Sequence, residues 1–135
     1  MPRAGQILYH KNFIFIDGNT GTKLVVVLNT GDNSETSLVL KTTSQSARYS
    51  YTTPGCNSCK NVFCIFKECE QGFPQDTYVQ MDNIYPINVE QLLNNKQVSF
   101  VGHLSDVCFA NLKRCLRNFR NDIPQQYWVT IYSSK

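Results

Sequence analysis

From residue 5 to residue 43 the chain alternates short apolar runs with clusters of turn formers, which predicts three strands. Ile7, Tyr9, Phe13 and Phe15 share one parity and are expected on one face of the first, which Asp17-Gly18-Asn19-Thr20-Gly21 ends. Lys23-Leu24-Val25-Val26-Val27-Leu28 is β-branched and nearly all apolar, the pattern of a strand covered on both faces. After the turn formers at 30–34, residues 37–43 read as a third strand. Residues 44–60 are polar, carry tyrosines and are broken by Pro54-Gly55, so a long loop is expected there. Residues 62–67 are strand-like and are closed by Gln71-Gly72-Phe73-Pro74. Two further short strands follow at 77–81 and 84–87, and Pro86 confines the second to an edge or an end because it has no N–H to donate.

The period then changes. Asn88, with Gln91 three residues on, caps a short helix over 89–95. Residues 98–101 form another short strand. Ser105 is a good N-cap, and Asp106 sits well against the dipole of the helix that it opens. Phe109, Leu112, Leu116 and Phe119 lie on one stripe of that helix, with Lys113, Arg114, Arg117 and Arg120 away from it. It ends before Pro124, and residues 127–132 read as a closing strand. Short strands first and an amphipathic helix late predict a small α+β domain, a partly open β-barrel spanning 1–135 as one unit.

Composition narrows the class. With 135 residues the chain suits one domain, and 12% aromatic with 17% charged residues argues against disorder. The longest aliphatic run, 24–28, is far short of the roughly 20 residues a spanning helix needs. The first six residues lack the apolar stretch of a signal peptide, so a soluble cytoplasmic protein is expected, with its six cysteines as thiols or metal ligands before disulfides. The net charge of +3 is unevenly spread: residues 105–135 carry five basic and two acidic side chains, whereas 61–104 carry two and five. A basic end beside an acidic middle suits a polyanion, a charged protein partner or ordinary solvated surface.

Conventional catalytic motifs are missing. No P-loop, dinucleotide fingerprint, Ser-His-Asp order or H-E-x-x-H is present. Cys56-x-x-Cys59 is the single short-spaced cysteine pair; Cys64 lies in a strand-like run, while Cys108 and Cys115 flank the apolar stripe of the helix and read as core. Tetrahedral zinc usually takes two such pairs, so no metal site is expected. His103 reads as a structural histidine. From the residues alone the chain is a β-rich domain with a basic helix.

The order of its pieces resembles the MazF/PemK family of toxin–antitoxin ribonucleases over about residues 5–120. The pieces are Gly5-Gln6-Ile7-Leu8, the Gly18–Gly21 turn, Lys23 opening an apolar strand, Leu40-Lys41-Thr42-Thr43-Ser44, Phe73-Pro74-Gln75-Asp76-Thr77-Tyr78-Val79, Asp82-Asn83-Ile84, and Gly102-His103-Leu104-Ser105-Asp106.

That resemblance implies an SH3-like barrel that pairs as a homodimer, needs no cofactor, cuts single-stranded RNA and is neutralised by an antitoxin protein. Carried over by position, Thr43 takes the family's catalytic hydroxyl, with Ser44 beside it. Lys23 stands where the family has arginine, and Leu24 where proline usually follows. Lysine lacks the planar fork that holds a phosphate bidentately, so the exchange is not conservative. His10 becomes a candidate for proton transfer if it faces Lys23 across the hairpin. Arg48, Tyr49 and Tyr51, in the 44–60 loop, are candidates for phosphate contact and base stacking. Two alternatives keep the barrel but not the reaction: a catalytically impaired module binding RNA or protein, and a toxin acting on a protein target.

Overall fold

The computed structural model describes residues 3–14, 17–30, 36–44, 49, 51–65 and 75–133. Eight antiparallel strands among them form one sheet: β1 (Gln6–Ile14), β2 (Thr20–Val27), β3 (Ser37–Thr43), β4 (Gly55–Asn57), β5 (Val62–Ile65), β6 (Thr77–Gln80), β7 (Tyr85–Ile87) and β8 (Val98–His103). Their order is β4-β5-β6-β3-β2-β1-β8, with β7 paired to β3. Helix α1 (Val89–Asn94) lies between β7 and β8, and α2 (Asp106–Leu116) and α3 (Gln125–Ser133) follow β8. The architecture is α+β, and the sheet does not close on itself.

Apolar alternation makes this sheet a divider between two cores. Val26, Leu28, Leu38, Leu40 and Val79 face α2 and α3, meeting Leu112, Leu116, Phe119 and Ile131 in the main core. Val25, Val27, Val39 and Leu8 point the other way, into a second core with Phe13, Val89 and Val98. Residues 25–28 are therefore at most 1% exposed, as a strand covered on both faces requires. Pro86 sits on β7, which among the described residues pairs with β3 alone, so its missing N–H breaks no central ladder.

The first strand departs from simple alternation. Its register slips between His10 and Phe13, and such a bulge reverses the parity beyond it. Leu8, His10 and Phe13 are consequently buried, while Tyr9 is 38% exposed. Tyr9 and Phe13 do not share a face as expected from their spacing. Phe15 lies outside the described residues.

Both helical caps form as expected. The Asn88 side chain accepts from the Gln91 N–H and that of Ser105 from the Cys108 N–H. Gly5, at φ +91°, brings the chain close to α2, where an added Cβ would stand 3.5 Å from the Phe109 ring. Its N–H donates to the Val27 carbonyl and its carbonyl accepts from the Leu104 N–H, tying the start of β1 to β2 and to the approach to α2.

Two expectations are corrected. Residues 127–132 are helical rather than a closing strand. Their aromatic and β-branched composition favours strands only weakly, and packing overrides it. Tyr127 and Ile131, and Trp128 and Tyr132, are four apart and so share helical faces; Ile131 is fully buried in the main core. The Pro124 carbonyl accepts from the N–H groups of Tyr127 and Trp128 and starts the first turn. The 44–60 segment is not all loop either. It contains β4 and a 3₁₀ turn at Ser58–Lys60, because β5 has an open edge with which Cys56 and its neighbours pair.

The cysteines differ from expectation too. Cys56 on β4 and Cys115 on α2 form a disulfide that spans 59 positions. Cys115 is core, as its position beside the apolar stripe implies, but it is oxidised rather than a free thiol. No helix among the described residues is long and apolar enough to cross a membrane.

Candidate active site

The candidate site is built at the open ends of β2 and β3. These strands pair Val25 with Lys41 and Val26 with Leu40. Extending that register by two residues sets Lys23 across from Thr43, and the Thr42 hydroxyl donates to the Leu24 carbonyl at 2.8 Å along the same stretch. The two residues the family resemblance singled out thus meet through ordinary strand pairing. Both line a cleft of about 200 Å³ together with Thr22, Thr42, Ser44 and Thr77.

This cleft is rich in hydroxyls and is lined by one half-buried lysine, Lys23. Some hydroxyls are already engaged: Thr22 donates to the Lys11 carbonyl at 3.2 Å, and Thr77 to the Gln75 carbonyl at 2.9 Å. Thr43 is only 6% exposed and pairs with Tyr78 of β6, so its side chain is set back in the wall. Ser44, exposed, stands at the rim. A cation and hydroxyl donors around a pocket of this size can hold a tetrahedral anion and stabilise extra negative charge on it.

His10 is paired with Lys23 across the β1–β2 ladder, as the hairpin argument required. Its ring nevertheless lines a different, mostly apolar cavity of about 250 Å³, with Phe13, Tyr85 and Leu92. It packs edge-on against Phe13 at 5.4 Å, and its Nδ1 has no hydrogen-bond partner among the described residues. Burial of the ring holds its pKa below the ordinary imidazole value. The unfolded chain therefore binds more protons than the folded one as pH falls through about 6.5. Stability from this group is complete at higher pH and is lost on acidification, by at most about 1.4 kcal/mol per pH unit. Thermal melts between pH 7.5 and 5 are expected to show a shallower pH dependence in His10→Leu than in wild type; equal slopes would mean that His10 is not the group responsible.

The loop residues separate into two kinds. Tyr49 stacks on Tyr78 with ring centroids 5.3 Å apart, and its hydroxyl accepts from the Gln80 amide at 3.0 Å. One ring face is thus occupied within the protein. Tyr51 is 97% exposed and sits at φ +63°, a left-handed conformation uncommon for a side-chain-bearing residue. Its ring is open to a stacking partner. Arg48 lies outside the described residues.

Lys41 was not among the expected site residues. Its ammonium donates to the Gln80 side chain, which in turn donates to Tyr49, linking β3 to the loop. Lys41 is two positions from Thr43, so alternation alone places both on one face. Thr22 and Thr77 carried no comparable signal, because their nearness to Thr43 depends on how strands pair across the sheet.

The short-spaced cysteine pair does not converge. Cys56 is bonded to Cys115, Cys59 is exposed, and Cys64 is buried, where desolvation pushes its thiol pKa up. Among the described residues no group of three or more His, Cys, Asp or Glu side chains is arranged to hold a metal ion. Cys69 lies outside them. The ring of His103 lies 3.1 Å from the Leu104 carbonyl through Nδ1, in keeping with a structural role. Against this geometry, a scan of protein-family models finds none that matches the chain, and a search of curated proteins finds no match.

Proposed function

We propose that this protein is a metal-independent endoribonuclease of the MazF/PemK type, acting on single-stranded RNA. The observation that carries the reading is the meeting of Lys23 and Thr43 in one hydroxyl-lined cleft, since these are the two positions that the family resemblance assigns to the reaction. In the proposed reaction the ribose 2′-hydroxyl gives its proton to water as its oxygen attacks the adjacent phosphorus, and the bond to the 5′-oxygen breaks as that oxygen takes a proton from water, leaving a 2′,3′-cyclic phosphate and a 5′-hydroxyl. Lys23 faces the phosphate oxygens with its charge. Thr43 and Ser44 donate to the same oxygens as negative charge builds on them. Tyr51 offers an exposed ring to a base beside the scissile bond. The reading includes an SH3-like barrel, a homodimer whose groove holds the strand, an acidic antitoxin segment that competes for that groove, and a cytoplasmic setting.

The low exposure of Thr43, with lysine at position 23 in place of arginine, favours a second reading: the same fold retains RNA recognition but has lost cleavage. One experiment separates them. Purified protein is incubated with a long single-stranded RNA in EDTA, and the products are mapped. Discrete cuts ending in cyclic phosphate support the nuclease; salt-sensitive binding with intact RNA supports the binding module. Intact RNA without binding removes both readings and leaves a protein target.

A further inference from the structure

The basic residues of α2 and the turn that follows it belong to neither role above. Between α2 and α3 lies a cleft of about 440 Å³, lined by Phe109, Lys113, Arg114, Arg117 and Tyr132, with Asp106 at one end. The periodicity that buries Leu112, Leu116 and Phe119 turns Lys113, Arg117 and Arg120 toward α3. There they rest on aromatic rings. The Lys113 ammonium is 5.1 Å from the Tyr132 ring centre and 5.9 Å from that of Phe109. The Arg117 guanidinium is 4.6 Å from the centre of Tyr132, and that of Arg120 is 4.4 Å from the centre of Trp128. Trp128 and Tyr132 pack together at 4.3 Å, so the cations share a continuous aromatic shelf.

Among the described residues, none of Lys113, Arg114, Arg117 and Arg120 is ion-paired with a carboxylate; Arg114 donates to the Asn111 side chain. Like charges on neighbouring turns repel, and cation–π contacts offset only part of that. Burial and the neighbouring Arg117 charge lower the Lys113 pKa, a sign of the same crowding. Contact with a ring takes up none of a guanidinium's N–H donors, which leaves those donors for an anion. Steps of three or four residues set successive Cβ atoms about 5–6 Å apart on a helix, which suits a chain of regularly repeated anions.

We propose that the α2–α3 cleft binds consecutive phosphates of single-stranded RNA, as a contact additional to the Lys23–Thr43 cleft. That the cleft takes a polyanion follows from its charges alone. The choice of RNA over an acidic peptide rests on the proposed function and on the fit of guanidinium edges to phosphate.

The test uses a labelled 20-nucleotide oligothymidylate, which carries the same phosphates but has no 2′-hydroxyl to be cut, so binding is read whether or not the protein is a nuclease. Trp128, the sole tryptophan of the chain, reports from beneath Arg120. Wild type is expected to bind with a change in Trp128 emission. In the triple variant Lys113→Gln, Arg117→Gln, Arg120→Gln, affinity at low salt is expected to fall at least tenfold. The slope of log K against log salt is expected to shrink by about 2, three contacts at about 0.7 each. Arg117→Lys with Arg120→Lys keeps the charges and is expected to keep the slope.

An unchanged slope in the triple variant, or saturating binding that leaves Trp128 emission unaltered, overturns the proposal. So does a response of Trp128 to polyglutamate but not to oligothymidylate, which makes an acidic protein segment the occupant. If the triple variant does not fold, Trp128 emission and the salt slope of wild type decide between these outcomes.

Discussion

Replacing Thr43 with valine is expected to slow RNA cleavage by about 10²–10³-fold, the usual cost of removing one donor to a developing oxyanion. Valine keeps the shape of threonine and discards the hydroxyl, so the packing around position 43 is kept while every hydrogen bond of that hydroxyl is lost. Thr43→Ser restores the donor and is expected to recover most of the rate. Lys23→Ala is expected to lose activity on a similar scale, and the double variant to lose less than the product of the two, because the groups act on one phosphate. Lys23→Arg carries the most information: if the fork geometry is what this chain gave up, arginine raises the rate above wild type. The loss belongs in kcat more than in KM if the groups act on the transition state. Equal cleavage by Thr43→Val and wild type, with matching thermal midpoints, would place the reaction elsewhere.

Opening the Cys56–Cys115 disulfide is expected to lower stability by about 2–4 kcal/mol, the typical range for a bridge that closes a long loop. For a domain of this size that moves the thermal midpoint down by roughly 10 °C. The bond joins β4, which among the described residues pairs only with β5, to the buried side of α2. Its loss therefore frees the part of the chain that carries Tyr51. Calorimetry of wild type with and without reductant, of Cys56→Ser and of Cys115→Ser should give one common decrease. Cys59→Ser, at an exposed position, is expected to stay within about 0.5 kcal/mol of wild type. A reductant-insensitive midpoint would mean that the two sulfurs are not bonded in solution. The bridge also bears on the proposed cytoplasmic setting, where glutathione and thioredoxin keep thiols reduced. There the protein would work without this tie, and RNA binding through the 44–60 segment should differ between oxidised and reduced protein.

Local pattern made much of this molecule legible. A five-residue run without polar interruption can only be covered on both sides, and Val25 and Val26 point into two separate cores. The stripe through Leu112 and Leu116 needs nothing but the helical period to be recognised, whereas α2 ends at Leu116 and Phe119 is buried from a 3₁₀ turn, not from the longer helix expected. Lys23 and Thr43 came from likeness of order and spacing; their shared cleft came from the β2–β3 register. The slip after His10 was hidden because a bulge changes which residues face inward without changing their kinds.

Segment 127–132 shows the limit most clearly. Its side chains suit a strand in isolation, yet Ile131 reaches the main core only from a helix packed on α2. The Cys56–Cys115 pairing is of the same kind, since six cysteines admit many partners and proximity across 59 positions is a property of the fold. By itself, then, the sequence determined what depends on neighbours a few positions apart: most strands, the helix caps, the amphipathic faces and the kinds of group available for chemistry. Tertiary structure alone decided which distant groups meet, putting Lys23 beside Thr43, His10 in a cavity of its own, and three basic side chains over the rings of α2 and α3. Contacts between residues far apart in the chain are chosen by the packing of whole elements, and no local period records that choice.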